Sequence, residues 1–289
     1  IRIGIANQLQ DQITERFFKK QELSDGEFID LYVENENNQT RYFSKIIKKT
    51  KRQTLVFEGE PGAGKSYSLL KYALQLLDKA KSQIQINWIL PVYIDLRELK
   101  REKTTQYNDI SASYIESIVL ETLNPTQDSA WSEIITKAFS YMPWLIIFDS
   151  FDEIPDILQS SKPEVVYQNY VKAIGLFLNK RTNLKGIIAT RQFKGPGRSG
   201  WSKVKLLPLD QKQKTKFMNV SGLTDEESIK LASDLENSDE FRRISNNPLF
   251  LSILCNNILK SKRRKVSLPK SVHNAYEDFV NCRLDRYKE

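Results

Sequence analysis

Histidine is nearly absent from this chain: of 289 residues, only His273 carries an imidazole. That excludes a histidine-rich metal centre. A Ser-His-Asp triad could be built only on His273, and nothing near it resembles a nucleophile elbow. Cysteine is almost as scarce. Cys255 and Cys282 lie far apart, without metal-ligand spacing, in apolar helical contexts where a reduced, packed thiol is the usual state. This usage fits a cytoplasmic protein. Long apolar runs are missing as well: the longest, 144–148 and 249–255, fall far short of the roughly 20 residues that span a bilayer. Neither a secretory signal nor an internal repeat is visible. The chain opens on Ile1 rather than methionine, so it is expected to be a fragment or a processed piece.

What is present is the composition of a globular protein, with 40% apolar and 28% charged residues and a length suited to about two domains. The net charge of +8 raises the question of nucleic acid. Basic clusters at 45–52, 97–103 and 260–265 are separated along the chain and mixed with acids elsewhere. Solvated surface charge explains most such runs.

The strong signal is Gly59-Glu60-Pro61-Gly62-Ala63-Gly64-Lys65-Ser66. It follows a short apolar strand, 54–57, and opens a helix predicted from Lys65 to about Ala80. Strand, glycine-rich turn and helix in that order are the context a phosphate-binding loop requires. The glycines let the backbone curl so that several N–H groups face a polyphosphate, and the helix presents its positive end to the same anion. Lys65 can then reach the β- and γ-phosphates, and the Ser66 hydroxyl can ligate Mg²⁺. Tyr67, next in line, completes the candidate nucleotide-binding segment. A chance glycine turn is the plainer alternative, and the flanking elements weigh against it.

From residue 54 to 207 the pattern alternates. Strands are predicted at 92–96, 144–148, 186–189 and 204–207, with helices at 113–123, 130–141 and 165–179 between them. Short apolar strands separated by helices mean a parallel sheet covered on both faces, with ligands at the carboxyl ends of the strands. Two such ends carry chemistry. Asp149-Ser150-Phe151-Asp152-Glu153 follows the most apolar strand, and a carboxylate there holds Mg²⁺, which makes Asp149 the metal candidate. Asp152 or Glu153 could orient or deprotonate an attacking water; acids capping the next helix are the competing reading. Thr190-Arg191 ends the next strand, where Arg191 could sense the γ-phosphate or steady transition-state charge, or be an ordinary surface arginine.

Before the loop strand, residues 1–50 look like an adaptor: a helix over 7–20, a strand at 28–33, a polar loop at 34–40 and a short amphipathic stretch. After 209 strands stop. Helices are predicted at 211–219, 225–235, 239–244, 249–259 and 271–288, with Pro248 at the first turn of an almost wholly apolar, buried one. The expected fold is therefore an α/β P-loop NTPase: a parallel sheet sandwiched by helices over 51–209, then an all-helical subdomain over 210–289.

The order of these features resembles the NACHT family of STAND nucleotide-triphosphatases, signalling ATPases related to the AAA+ class. The matching stretches are GEPGAGKS at 59–66, WLIIFDSFDEIP at 144–155, GIIATR at 186–191, NNPLFLSILC at 246–255 and LPKSVHNAYEDFV at 268–280. Together they cover about 50–289. The family commonly has glycine where this chain has Ser150, a small change expected to be harmless. The resemblance implies Lys65 and Ser66 for phosphate and Mg²⁺, Asp149 for Mg²⁺, Asp152 or Glu153 for hydrolysis, Arg191 as phosphate sensor and Pro248 against the adenine. It also implies a switch that rests with ADP and forms a homo-oligomer with ATP once a C-terminal region senses a trigger protein or nucleic acid. Bacterial members act against phage. The family's winged-helix domain and sensor repeats have no counterpart in this sequence. A nucleic-acid-remodelling ATPase and a metabolic kinase are the competing functions; a translation-type GTPase is disfavoured because no Asn-Lys-x-Asp guanine-reading motif occurs.

Overall fold

The computed structural model describes residues 1–15, 29–49, 53–82, 88–99, 110–192, 194–196, 200–260 and 267–286. Its strands are β1 (Tyr32–Asn35), β2 (Thr40–Tyr42), β3 (Thr54–Gly59), β4 (Leu90–Asp95), β5 (Trp144–Asp149), β6 (Leu184–Arg191) and β7 (Ser202–Leu206). Its helices are α1 (Arg2–Ile13), α2 (Phe43–Lys49), α3 (Lys65–Lys81), α4 (Ala112–Leu123), α5 (Ser129–Tyr141), α6 (Pro155–Gln159), α7 (Pro163–Asn179), α8 (Gln211–Val220), α9 (Asp225–Glu236), α10 (Asp239–Ile244), α11 (Pro248–Lys260) and α12 (Val272–Arg286). Two compact units emerge. The sheet unit takes in the described residues of 1–22, 33–59 and 65–205; the helical unit takes in those of 23–32, 60–64 and 206–289.

The seven strands form one sheet in the order β2-β1-β7-β3-β6-β5-β4, with β3 parallel to both β6 and β7 and β5 parallel to both β4 and β6. This is the α/β arrangement that the alternating pattern predicts. Every residue of β4 and β5 is buried, as expected for strands covered on both faces. Pro91 sits in β4 without breaking the sheet because β4 is the last strand in the order, where a missing N–H leaves no ladder bond unmade. α3 buries Leu69, Leu70, Tyr72, Ala73, Leu76, Leu77 and Ala80, one helical stripe turned to the core. Phe43 ties α2 to the sheet, stacking on Phe57 at 4.5 Å and meeting Tyr72 edge-on at 5.7 Å.

The region ahead of the loop strand departs from expectation. The first helix starts at Arg2, because Ile5 and Ala6 extend the buried stripe of Leu9 and Ile13 backwards, and it packs on α3. The remainder of the predicted helix, 16–20, and Phe28 of the predicted strand lie outside the described residues. The expected loop at 34–40 is the turn of a hairpin. Asn35 Oδ1 accepts the N–H groups of Asn37 (3.0 Å) and Gln39 (2.9 Å), and Asn38 takes φ 57°, so β1 and β2 pair across it.

In the helical unit, polar starts do what their residue types suggest. Asp210 with Gln213 and Thr224 with Glu227 form capping boxes at α8 and α9. The core of α11 is Phe250, Leu251, Ile253, Leu254, Cys255 and Ile258, and burial pushes the Cys255 thiol up to about 12. Leu249, in contrast to the expectation of a wholly buried stretch, is half exposed. Lys214 is buried at 3% exposure and ion-paired with Glu236 at 2.9 Å; it also donates to Ser245 Oγ at 3.2 Å, beside the turn that leads into α11. No helix among the described residues is long and apolar enough to cross a membrane.

Candidate active site

Register sets the geometry. Gly59 at the end of β3 stands beside Arg191 at the end of β6, and Asp149 at the end of β5 stands beside Asp95 at the end of β4. Because β6 runs between β3 and β5, the pair Thr190–Arg191 lies between the end of β3 and the acidic block. The carboxyl ends of β3, β5 and β6 thus bring together Gly59, Asp149 and Arg191, which the sequence singles out, and β4 adds Asp95, which it does not.

After Gly59 the chain turns through Gly62 (φ 73°) and Gly64 (φ 91°), left-handed conformations that a side chain disfavours, with the Ala63 N–H donating to Glu60 O at 3.2 Å. α3 then begins at Lys65, whose Nζ donates to Gly59 O at 2.8 Å. Burial lowers the Lys65 ammonium pKa, against the pull of Asp149, Asp152 and Glu153, while Arg191 adds to the lowering. The charges of all three acids of the block are thus felt at Lys65. Tyr67, two residues further on, carries Lys71 over its ring at 5.8 Å.

Asp149 is 1% exposed, and burial raises its pKa above the usual carboxylate range. Three donors hold its charged form in place: the Ser66 hydroxyl, the Tyr93 hydroxyl at 2.5 Å and the Ser150 N–H at 2.9 Å. Burial and the same carboxylate push the Tyr93 phenol well above its ordinary value, so Tyr93 stays a donor. Ser150 adopts φ 59° and ψ 44°. That left-handed geometry gives a physical reason for a glycine at this place, so the substitution by serine carries a strain that the sequence does not announce.

The other two acids turn to β6. Asp152 Oδ1 accepts from Thr190 Oγ1 (3.1 Å) and from the Arg191 N–H (3.0 Å), and its Oδ2 pairs with Arg191 Nε at 3.2 Å. Glu153 takes the other arm of the same guanidinium, raising the Arg191 pKa. Arg191 is thus a clasp between the acidic block and β6. Asp95 is buried and gripped by Arg97 through two bonds, Nε at 2.9 Å and Nη2 at 2.7 Å.

The remaining predicted residues belong to the helical unit. Glu60 and Pro61 are exposed, and Gly62, Ala63 and Gly64 run along the start of α11. Pro248 lies against Gly64, where an added Cβ would sit 3.7 Å from Pro248 Cγ. Sequence reasoning gave no role to Tyr93, Asp95, Arg97 or Asn247. The first three sit on or just after a strand whose position relative to β5 no local pattern reveals. Asn247 did carry a signal, as a capping-type residue directly ahead of Pro248.

The donor set suits a magnesium nucleotide. Ser66 Oγ and the Asp149 carboxylate are hard oxygens already in contact, with Lys65 alongside. No group of three or more His, Cys, Asp or Glu among the described residues is arranged to hold a metal alone. Mg²⁺ needs none, since it binds through one or two protein oxygens plus phosphate and water.

The NACHT domain model matches residues 53–219, more than half of the chain, spanning the glycine-rich turn, the acidic block and the Arg191 strand. No curated protein sequence is significantly similar to the chain. The chain belongs to the NACHT family, a family of nucleotide-binding NTPase-type domains.

Proposed function

We propose that this NACHT module binds adenine nucleotide with Mg²⁺, hydrolyses it slowly, and acts as a cytoplasmic switch whose nucleotide state sets self-association, in antiviral defence. The observation that carries the reading is the contact of the Ser66 hydroxyl with buried Asp149 beside Lys65 at the strand ends. In this reading the loop amides and the N-terminus of α3 bind the polyphosphate, and Lys65 moves from Gly59 O to the β- and γ-oxygens. Ser66 and Asp149 hold Mg²⁺, which supplies neutralisation of phosphate charge. Pro248 lies along the base, and the lack of a guanine-reading motif favours adenine.

Slow turnover follows from how the acids are used. A group that orients or deprotonates water must have its oxygen turned to that water. Asp152 already accepts from Thr190 and Arg191, and Glu153 is paired with Arg191. Hydrolysis therefore waits on Arg191 leaving the acids for the γ-phosphate, which both frees a carboxylate and places a cation on the developing charge. Slow hydrolysis suits a timer better than a metabolic enzyme.

The test begins with the purified protein denatured and its released nucleotide identified by chromatography, Lys65→Ala serving as control. Bound ADP in the parent and none in the variant is the expected result. ATP is then expected to raise the mass in solution. Guanine nucleotide would overturn the base assignment, and turnover of tens per second would overturn the switch.

A further inference from the structure

The glycine-rich turn is held from outside by the start of α11. Asn247 Nδ2 donates to Pro61 O at 2.9 Å. The Leu249 N–H lies 3.2 Å from Gly62 O and 3.0 Å from Asn247 Oδ1. One asparagine side chain therefore does two jobs: its oxygen caps α11, and its amide grips the loop. The fit is close. A Cβ on Gly62 would come within 2.9 Å of Asn247 Oδ1 and 3.0 Å of Leu249 Cβ.

The consequence lies in the peptide planes. In a trans peptide the carbonyl and the following N–H point to opposite edges of one plane, and the chain has no cis bonds among the described residues. A donor fixed on Pro61 O therefore aims the Gly62 N–H the opposite way. A donor on Gly62 O does the same for the Ala63 N–H, which is directed at Glu60 O. Glycine tolerates either orientation of its flanking planes, so the sequence of the loop alone does not select one.

We propose that Asn247 is a positioning residue of the phosphate loop: its side-chain amide locks the Pro61–Gly62 plane, and phosphate affinity depends on that lock. This rests on the nucleotide-binding reading of the loop. It makes residues 60–64 responsive to α11, since the donor leaves whenever the turn before Pro248 moves. Lys214, buried against Ser245 two residues earlier, steadies that turn.

Two substitutions separate the jobs. Asn247→Ser and Asn247→Asp both keep an oxygen that caps α11, and both remove the amide donor to Pro61 O: aspartate leaves no donor, and serine leaves only a hydroxyl on a shorter side chain, without adding charge. In the ligand-free protein, amide hydrogen exchange over residues 62–64 is expected to quicken several-fold in Asn247→Ser, with the thermal midpoint unchanged. ADP and inorganic tripolyphosphate are each expected to bind about tenfold more weakly, by the same factor, because the lock touches the phosphate loop and not the base. Unchanged exchange and affinity would overturn the proposal. So would a loss confined to ADP, or a fall in ligand-free stability in both variants that accounts for the weaker binding. If the parent binds neither ligand while exchange still quickens on substitution, the lock stands as a loop contact and the nucleotide reading fails.

Discussion

Ser150 shows how a single residue carries information that spacing does not. The acidic block is legible as chemistry: an apolar strand followed by Asp149, Asp152 and Glu153. The turn that carries Asp149 into the block is invisible until φ at Ser150 is seen to be 59°. A non-glycine residue there costs on the order of 1–2 kcal/mol, and glycine returns about 0.5–1 kcal/mol of that as extra freedom in the unfolded chain. Ser150→Gly is therefore expected to raise stability by about 0.5–1 kcal/mol in urea unfolding with an unchanged slope. A loss of stability would mean that the serine makes a compensating bond of its own. Tyr93 is the converse case. No motif marks it, because its value comes from β4 lying beside β5, a long-range pairing that brings its hydroxyl to Asp149. Lys65, Ser66, Asp149 and Arg191 could be picked out from the sequence because each is defined by its distance from a local strand end. Thr190, at the same strand end as Arg191, could be picked out too, whereas Tyr93 and Asn247 act by reaching across elements.

At the scale of elements, the periodicities held where packing reinforced them. The strands of the sheet core fall where short apolar runs predict them, and most helix starts follow polar caps such as Ser111 and Asp128, which accept from Tyr114 N at 3.2 Å and Trp131 N at 2.8 Å. The N-terminal helix starts ahead of the predicted residue 7 because its apolar stripe begins within the first turns of the chain, where few flanking residues define a period. What periodicity cannot give is the closeness of one element to another. Gly186 in β6 is an instance: a Cβ built there would lie 2.3 Å from Leu178 Cδ1 of α7, and Leu178 is fully buried. Glycine is required here by the approach of helix to strand. Gly186→Ala is expected to destabilise by about 1–3 kcal/mol as the leucine is forced from its rotamer. A melting midpoint within a degree of the parent would show that α7 can shift at little cost. Because β6 carries Thr190 and Arg191, the same variant is expected to loosen the clasp on Asp152.

For the whole molecule, the net charge of +8 supports a reading other than the switch: a nucleic-acid path lined by lysine and arginine. Where the described cations sit weighs against it. Arg97 is spent on Asp95, Arg191 on Asp152 and Glu153, Lys180 and Arg181 on Glu116, Lys203 on Glu58 and Lys214 on Glu236. A cation already paired within the chain releases fewer counterions on meeting a phosphate, so it contributes little to the salt-dependent term that dominates such binding. The 260–265 cluster beyond Lys260, most of the 97–103 cluster and the end of the 45–52 cluster lie outside the described residues. Charge scattered in short runs along a sequence adds diffuse attraction to a polyanion. Diffuse attraction of this kind is screened within about 8–10 Å at physiological salt. Single-stranded DNA or RNA is therefore expected to bind only at low salt, to be released between 50 and 200 mM KCl, and to leave ATP turnover within about twofold of its basal rate. Stimulation of tenfold or more that survives 200 mM KCl would require a built path, and would replace the switch with a remodelling ATPase. Under the switch reading the discriminating ligand is the nucleotide itself. To carry the closed population from 1:99 to 99:1, ATP must favour it by about 5.5 kcal/mol. In that reading the preference would come from Lys65 and Arg191, the two cations that the strand ends hold beside the acidic block, if both turn to the γ-phosphate.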